Sequence, residues 1–158
     1  MSRSTTHQSV EQIRPFQRPG TIERWLNRLV TLLVGLGVGF RDNQVLGVRG
    51  RKTGKAYRTV VNVMEHEGRR YLVAPRGRTG WVRNAEVAGS VTLQRGKQRG
   101  VFEVREVPAA QRAPLLRDYL GRYTPSVKGF FSVAPDAPLG EFERVAGSHP
   151  VFELRAAQ

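Results

Sequence analysis

The sequence contains no cysteine and only three histidines among its 158 residues. Without thiols, a disulfide framework, a thiolate nucleophile and cysteine-ligated zinc or iron–sulfur centres are excluded. The three histidines, His7, His66 and His149, are scattered along the chain, which argues against a histidine metal cluster. Any redox or group-transfer chemistry therefore has to use other side chains or a borrowed cofactor.

Acidic residues are scarce: 13 Asp and Glu face 26 Lys and Arg, for a net charge of +13. Residues 41–105 hold fifteen basic and five acidic residues, a surplus of ten, whereas residues 1–40 carry +3 and residues 106–158 are neutral. The basic residues alternate with Val, Leu, Tyr and Gly instead of forming a terminal polybasic run. This pattern predicts an anion site or a basic face within a folded domain.

Long apolar runs are also lacking, since the uncharged run 29–40 has twelve residues and a membrane span needs about 18 or more. Residues 1–20 are predicted to be a flexible polar arm without a secretory signal, and residues 21–158 a single domain of a cytoplasmic protein. Trp25, Leu29 and Leu33 follow helical spacing. This helix either packs on the core or lies on the inner face of the membrane, so peripheral membrane association stays open.

The rest of the chain is predicted to form short strands, with helices between the later strands. Strands are predicted at 44–49, 58–65, 71–74, 91–95, 100–107 and 151–154, and helices at 81–88, 109–122 and 141–145. In the second strand Val61 and Val63 lie on one face and Val60 and Met64 on the other, so both faces are lined. These features predict a small β-barrel with flanking helices, an α+β fold.

The densest chemical signal is the glycine-containing segment 48–58, which has five cations and no acidic residue. Its candidates for holding an anion are Arg51, Lys52, Thr53, Gly54 and Arg58. Glycine permits close approach of the backbone, while hydroxyl and guanidinium groups donate to a phosphate or a polycarboxylate. The Walker A spacing is absent. A solvated hairpin tip is the alternative interpretation.

A second candidate segment, 75–84, places a glycine loop between a predicted strand and the start of a helix. Such a loop presents backbone N–H groups to an anion or to the polar edge of a ring. Trp81 and Asn84 follow it at the start of the helix. They either shape a pocket or serve as a core anchor and a local cap.

Together, the order GRKTG, Arg58, a β-hairpin, a small-residue loop at 74–80, then Trp81 and Asn84 resembles the deazaflavin (F420)-dependent nitroreductase and quinone reductase family. The resemblance covers roughly residues 22–107 and is looser at the C-terminus. It implies a split β-barrel of the FMN-binding type with an N-terminal helix. It also implies coenzyme F420, whose phosphorylated, polyanionic tail suits the basic middle of this chain.

Carried over by position, the resemblance assigns three groups of site residues. It implies that Arg51, Lys52, Thr53, Gly54 and Arg58 hold the phosphate and glutamyl tail, that Ala74, Pro75, Arg76 and Gly77 line the deazaflavin with backbone groups, and that Trp81 and Asn84 shape the pocket. The sequence departs from the family where Pro75 stands in place of a frequent Ser. That change removes a hydroxyl and a backbone donor beside the ring.

The resemblance implies a hydride transfer from the reduced cofactor to a lipophilic small molecule such as a quinone or a nitro compound. Tyr123 is the candidate proton donor, with solvent as the alternative. Trp25, Phe130 and Phe131 are predicted to form an apolar roof over the acceptor, and burial in the core is the alternative for the two phenylalanines. The resemblance implies a Tyr-rich segment in this region, where this chain has Phe130 and Phe131 instead. The ending HPVFEL, residues 149–154, is similar to a quinone reductase-like branch.

Other functions stay open at this point. A split-barrel protein that binds FMN or haem would share the fold and take a shorter anionic tail. A carrier of the cofactor without turnover would share the binding motif. A nucleic-acid-binding module would use Arg69, Arg70, Arg76, Arg78, Arg83, Arg95 and Arg99, but no RRM, KH or zinc motif is present, so nucleic acid is not the expected partner. Monomer and homodimer are both compatible with the sequence.

Overall fold

The structure is a computed structural model that describes residues 42–158. The predicted arm, the predicted N-terminal helix and Trp25 lie outside the described residues. The strands are β1 (Asn43–Arg49), β2 (Ala56–His66), β3 (Arg69–Val73), β4 (Ser90–Arg95), β5 (Gln98–Glu106) and β6 (Val151–Ala156). The α-helices of this part are α1 (Gly80–Ala88), α2 (Ala113–Val127) and α3 (Leu139–Val145), with short 3-10 turns at Ala109–Gln111, Lys128–Phe130 and Ala146–Ser148.

The six strands form a closed antiparallel barrel in the order β1-β2-β3-β6-β5-β4. Closure comes from β1, which pairs with β2 on one side and with β4 on the other. β1 and β4 lie close together at Gly47, where a Cβ would lie 2.4 Å from Thr92 Oγ1. The barrel and its flanking helices confirm the predicted α+β architecture.

Alternate residues of β2 and β3 supply two separate cores. Val63 and Leu72 point into the barrel, where they pack with Trp81 of α1. Met64 follows Val63 and Tyr71 precedes Leu72, and both belong to a second core that is covered by α2 and α3. Because successive side chains of a strand point to opposite faces, this arrangement requires apolar residues on both faces, as predicted for β2.

The helix α2 runs further than the sequence predicts. The predicted helix ended at Arg122 before a segment with Pro and Gly, whereas α2 continues to Val127. Tyr123 has non-helical angles, φ −113° and ψ 19°, and divides α2 into two helical pieces. Pro125 then lies in the first turn of the second piece, where its missing N–H has no helical partner to lose. The proline therefore does not end the helix, and the break between the two pieces lies at Tyr123.

Within the described residues, no helix has the length and apolar character needed to cross a bilayer.

Candidate functional site

The basic loop between β1 and β2 is closed by its own backbone. The Gly50 N–H donates to the Lys55 carbonyl at 2.8 Å, and the Gly54 N–H donates to the Gly50 carbonyl at 2.8 Å. Gly54 has a φ of +69°, a conformation that strains a residue with a Cβ. The side chains at 51–53 and of Lys55 are exposed. The loop is therefore a tight turn that presents its cations to solvent.

A cavity of about 230 Å³ lies beside this loop. It is lined by Gly50, Arg51, Lys52, Thr53, Lys55, Ala56, Tyr57 and Asn84. Asn84 is buried, and its Oδ1 accepts hydrogen bonds from the Arg51 backbone N–H at 3.2 Å and from Arg51 Nη1 at 2.9 Å. The structure thus brings together two predicted site residues that are 33 positions apart. Asn84 clamps the loop against α1 and leaves Lys52 and Lys55 facing outward.

Arg58, the remaining predicted tail ligand, lies on the barrel wall. It is opposite Gly47 in the β1–β2 register. Its guanidinium extends past β1, where Nη2 donates to Gln94 Oε1 of β4 at 3.0 Å. The side chain is exposed and does not line the loop cavity. Arg58 is therefore separate from the cluster that Arg51 and Asn84 form.

The segment that joins β3 to α1 folds into a compact turn. The Ala74 N–H donates to the Pro150 carbonyl at 2.9 Å, the Gly77 N–H to the Ala74 carbonyl at 3.1 Å, and the Thr79 N–H to the Gly77 carbonyl at 2.8 Å. Trp81, which follows, is buried in the barrel and contacts the Phe152 ring at a centroid distance of 5.9 Å. The structure therefore places Trp81 as a core anchor beneath the turn.

A larger cavity of about 580 Å³ borders this turn. It is lined by Pro75, Arg76, Gly77, Phe130, Ser132, Val145, Ser148 and His149. The guanidinium of Arg76 sits 4.5 Å from the centroid of the Phe130 ring, a cation–π contact at the cavity wall. Since residues 75–77 border this cavity and Asn84 borders the smaller one, the single segment 75–84 contributes to both.

The two phenylalanines predicted to roof the acceptor have different environments. Phe130 is 40% exposed and lines the larger cavity. Phe131 is buried in the core under the helices, and its ring stacks on His149 with 4.2 Å between centroids and 21° between planes. Sequence reasoning missed His149 as a site residue, because a lone histidine before a proline carries no motif. Phe131 thus supports the cavity wall through His149.

Gly77 has a φ of +77°, and a Cβ there would lie 3.2 Å from the Ser148 carbonyl oxygen. We expect Gly77→Ala to lower the free energy of unfolding by about 1 kcal/mol or more, since the backbone is strained and the two cavity walls are pushed apart. Urea unfolding of both proteins measures this difference. Gly121→Ala is the control, because Gly121 lies within α2 with open space around it, and alanine favours a helix. Equal effects of the two substitutions would contradict the expectation.

His149 is buried and uncharged in the fold. Burial lowers the pKa of His149 below its ordinary value, although backbone groups of Pro75 and Ala74 near the ring partly counter this. Its Nδ1 is buried and makes no hydrogen bond of good geometry within residues 42–158. A neutral imidazole with an unsatisfied nitrogen therefore borders the larger cavity.

A lowered histidine pKa predicts a loss of stability in acid. Above about pH 6.5 the imidazole is neutral in both states, whereas at lower pH the unfolded chain binds the proton more readily than the folded protein. We expect the wild type to lose more free energy of unfolding than His149→Phe when the pH falls from about 7.5 to about 5.5. Phenylalanine keeps a ring stacked on Phe131, and the other titrating groups contribute equally to both proteins. An equal loss in the variant would show that His149 does not titrate abnormally.

Tyr123, the predicted proton donor, lies at the kink of α2 and away from the residues that line either cavity. Its hydroxyl donates to Asp42 Oδ2 at 2.7 Å. Burial, the hydrogen bond to Asp42 and its negative charge raise the pKa of Tyr123 well above the ordinary value. The phenol therefore keeps its proton, and its role as a donor stays a prediction.

Two of the arginines named above as alternative phosphate contacts, Arg69 and Arg78, are paired with carboxylates. On the outer barrel wall, Glu153 lies 3.7 Å from Arg69 and 3.2 Å from Arg155. Arg78 pairs with Glu86 and Glu106. These carboxylates partly neutralise their arginines, whereas segment 48–58 contains five cations and no acidic residue, so the β1–β2 loop is the clearer cationic site.

The geometry can be compared with known proteins at this point. One family model, that of the F420H2-dependent quinone reductases, matches the chain from residue 24 to residue 128. The chain belongs to this family. It is therefore an F420-dependent oxidoreductase, and F420H2 is its reductant. The match includes the basic loop, the segment 75–84 and α2, but not the cavity residues that follow residue 128.

Solved structures agree with the fold of this reductase. A protein described as a domain-swapped dimer has 20% identity, covers 85% of this chain and 93% of its own, and gives a TM-score of 0.52. An F420H2-dependent reductase, FDR-A, has 19% identity, with 73% and 95% coverage and a TM-score of 0.51. A protein of unknown function from Agrobacterium tumefaciens str. C58 has 17% identity, with 92% and 59% coverage and a TM-score of 0.56. A comparison with curated proteins finds no match.

Proposed function

We propose that this F420-dependent reductase transfers a hydride from F420H2 to a flat lipophilic acceptor, such as a quinone or a nitro compound. The observation that carries the proposal is the segment 75–84, which borders a cationic cavity at one end and a larger cavity with apolar walls at the other. A ligand site with apolar walls and a few polar groups suits a flat organic molecule. Cofactor and acceptor would then meet at the turn 74–77.

The residues beside the smaller cavity fit an anionic tail. Lys52 and Lys55 are exposed on a rigid turn, and Arg51 is oriented by its bonds to Asn84. Oriented ammonium and guanidinium groups bind phosphates and carboxylates through charge-assisted hydrogen bonds. We propose that Arg51, Lys52, Thr53 and Gly54 hold the phosphate and glutamyl groups, and that Arg58 adds a contact on the barrel wall.

The turn 74–77 is proposed to position the ring. When bound, reduced F420 supplies the hydride. Ala74 is buried and tied to Pro150, so the backbone of this turn is preorganised before any ligand arrives. Pro75 lacks an N–H and the Gly77 N–H already donates to the Ala74 carbonyl, so the backbone donor of residues 75–77 to a ring edge has to be the Arg76 N–H.

The larger cavity is proposed to receive the acceptor. Pro75, Phe130 and Val145 provide apolar walls that exclude water, and Arg76 places a positive charge at the rim. That charge would stabilise the anion that develops on an acceptor oxygen. Of the residues that line this cavity, Pro75, Arg76 and Gly77 lie within the family match, and those from Phe130 to His149 lie outside it.

A cofactor titration tests the proposal directly. Purified protein is mixed with F420 and tryptophan quenching is followed, with FMN as the control ligand, and F420H2 oxidation is then measured with menadione as the acceptor. We expect F420 to bind more tightly than FMN because its tail carries more negative charge. Tighter binding of FMN would indicate a flavin protein of the same barrel type. Binding of F420 without turnover of any quinone or nitro compound would indicate a carrier.

We also propose that the reductase forms a homodimer. A structure with the same fold is described as a domain-swapped dimer. Light scattering of the purified chain measures the mass, and a value of twice 17.7 kDa is expected. A monomeric mass would overturn this part of the proposal.

A further inference from the structure

Arg112 is a buried cation that joins several backbone segments. Its side chain is only 6% exposed. Nε donates to the Val107 carbonyl at 2.7 Å, Nη1 to the Ala146 carbonyl at 3.0 Å, and Nη2 to Glu106 Oε1 at 2.8 Å. Ala146 directly follows Val145 and precedes Ser148 and His149, so Arg112 holds the wall of the larger cavity that contains these residues.

The opposite wall is tied to the same carboxylate. Glu106 Oε1 also accepts a hydrogen bond from Arg78 Nη2 at 2.9 Å. Arg78 directly follows Arg76 and Gly77, which line the cavity, and it also pairs with Glu86 of α1. One carboxylate oxygen therefore receives a guanidinium from each side of the cavity.

We infer that Glu106 and Arg112 are positioning residues of the acceptor site, which set the separation of its two walls through Arg78 on one side and the Ala146 carbonyl on the other. The inference rests on the proposed function, because it takes the larger cavity as the site of the acceptor. These residues do not line that cavity, so they act through the segments that they hold.

The physical reason is the cost of leaving a buried cation unpaired. A guanidinium removed from water keeps its partners, because the desolvation cost is recovered only while its hydrogen bonds are made. Arg112 therefore fixes Glu106, Val107 and Ala146 relative to one another. Arg78, by contrast, is 49% exposed and contributes little to stability through its ion pairs. Substitution of Arg78 consequently tests the link between the walls without unfolding the protein.

The test compares Arg78→Gln with Arg155→Gln. Arg155 is 50% exposed and pairs with Glu153 on the outer barrel wall, which makes it a matched control. With F420H2 and menadione, we expect Arg78→Gln to raise the KM for menadione about threefold to tenfold and to leave kcat within about twofold. Arg78→Lys should recover part of the KM, because an ammonium still reaches one carboxylate. Glu106→Gln should raise KM similarly.

Hydrogen exchange supplies a readout that does not depend on turnover. The Gly77 and Thr79 N–H groups are bonded within the turn, and the His149 N–H donates to the Ala146 carbonyl. If the walls are linked through Glu106 and Arg112, Arg78→Gln will speed exchange at His149 as well as at Gly77 and Thr79, while Arg155→Gln will not.

The outcomes separate the inference from the proposed function. If Arg78→Gln matches Arg155→Gln in KM and in exchange, the inference is wrong. If the wild type binds F420 but reduces no acceptor, the proposed function fails and the assignment to an acceptor site fails with it. In that case the hydrogen-exchange rate of the His149 N–H in Arg78→Gln, compared with Arg155→Gln, still decides whether the two walls are coupled.

Discussion

Replacing Lys52 with glutamate should weaken F420 binding by about thirtyfold to a hundredfold. Lys52 is exposed on the tight basic turn and lines the smaller cavity. Near a protein surface, one charge–charge contact contributes about 1 kcal/mol or more, and a reversal both removes an attraction and adds a repulsion. The resulting 2–3 kcal/mol corresponds to about that change in the dissociation constant. Tryptophan quenching at low ionic strength measures it.

Lys97→Glu is the matched control for this substitution. Lys97 is an exposed lysine in the turn between β4 and β5, so its reversal changes the net charge by the same amount. If both variants bind F420 equally weakly, the affinity depends only on the net charge of the protein, and the loop is not the binding site of the cofactor. Added salt should reduce the difference in F420 affinity between Lys52→Glu and the wild type, because it screens exposed charges. Arg58→Ala should have a smaller effect, since Arg58 already bonds to Gln94.

Substituting Arg112 with methionine should lower the free energy of unfolding by about 3 kcal/mol. The change removes three hydrogen bonds from a buried guanidinium, and it leaves the Val107 and Ala146 carbonyls without those donors. Methionine fills much of the volume of the arginine side chain. The lost free energy of unfolding therefore reflects the missing hydrogen bonds more than a new cavity. Urea denaturation with a fixed m-value gives the difference.

Arg117→Met is the comparison for Arg112. Arg117 lies on α2, whereas Arg112 directly precedes that helix, and Arg117 is exposed. Its substitution should therefore change the free energy of unfolding by less than about 0.5 kcal/mol. A small loss for Arg112→Met would mean that the surrounding segments find other partners. In that case Arg112 would also fail as the link between the two cavity walls.

Local patterns predicted the barrel well because its signals are short-range. A short valine-rich run with apolar residues on both faces identifies β2. Gly89 ends α1 with a φ of +69°, as its position after Ala88 suggests. The continuation of α2 through Pro125 was missed, because a proline breaks a helix in its interior but not in a first turn. Pro125 lies in a first turn only because Tyr123 interrupts the helix and a second helical piece begins after it.

The candidate site was predictable only in part. The cations Arg51, Lys52 and Lys55 are visible in the sequence because they lie within one short segment. The clamp from Asn84 to Arg51 spans 33 positions, and the bond from Arg112 to Ala146 spans 34, so neither leaves a local signal. His149 lies opposite Pro75 only because β6 pairs with β3. Tertiary pairing of this kind decides which polar residues share a cavity.

The segment 75–84 borders both cavities, and this has a thermodynamic consequence. Any ligand that stiffens or shifts this backbone changes the free energy of binding at the other cavity, and the effect is reciprocal. If the tail and the acceptor occupy the two cavities as proposed above, the affinity for the tail and the selectivity for the acceptor are linked through this stretch of chain. Cofactor molecules that differ only in the number of glutamates in their tails should therefore give this reductase different affinities for the same acceptor.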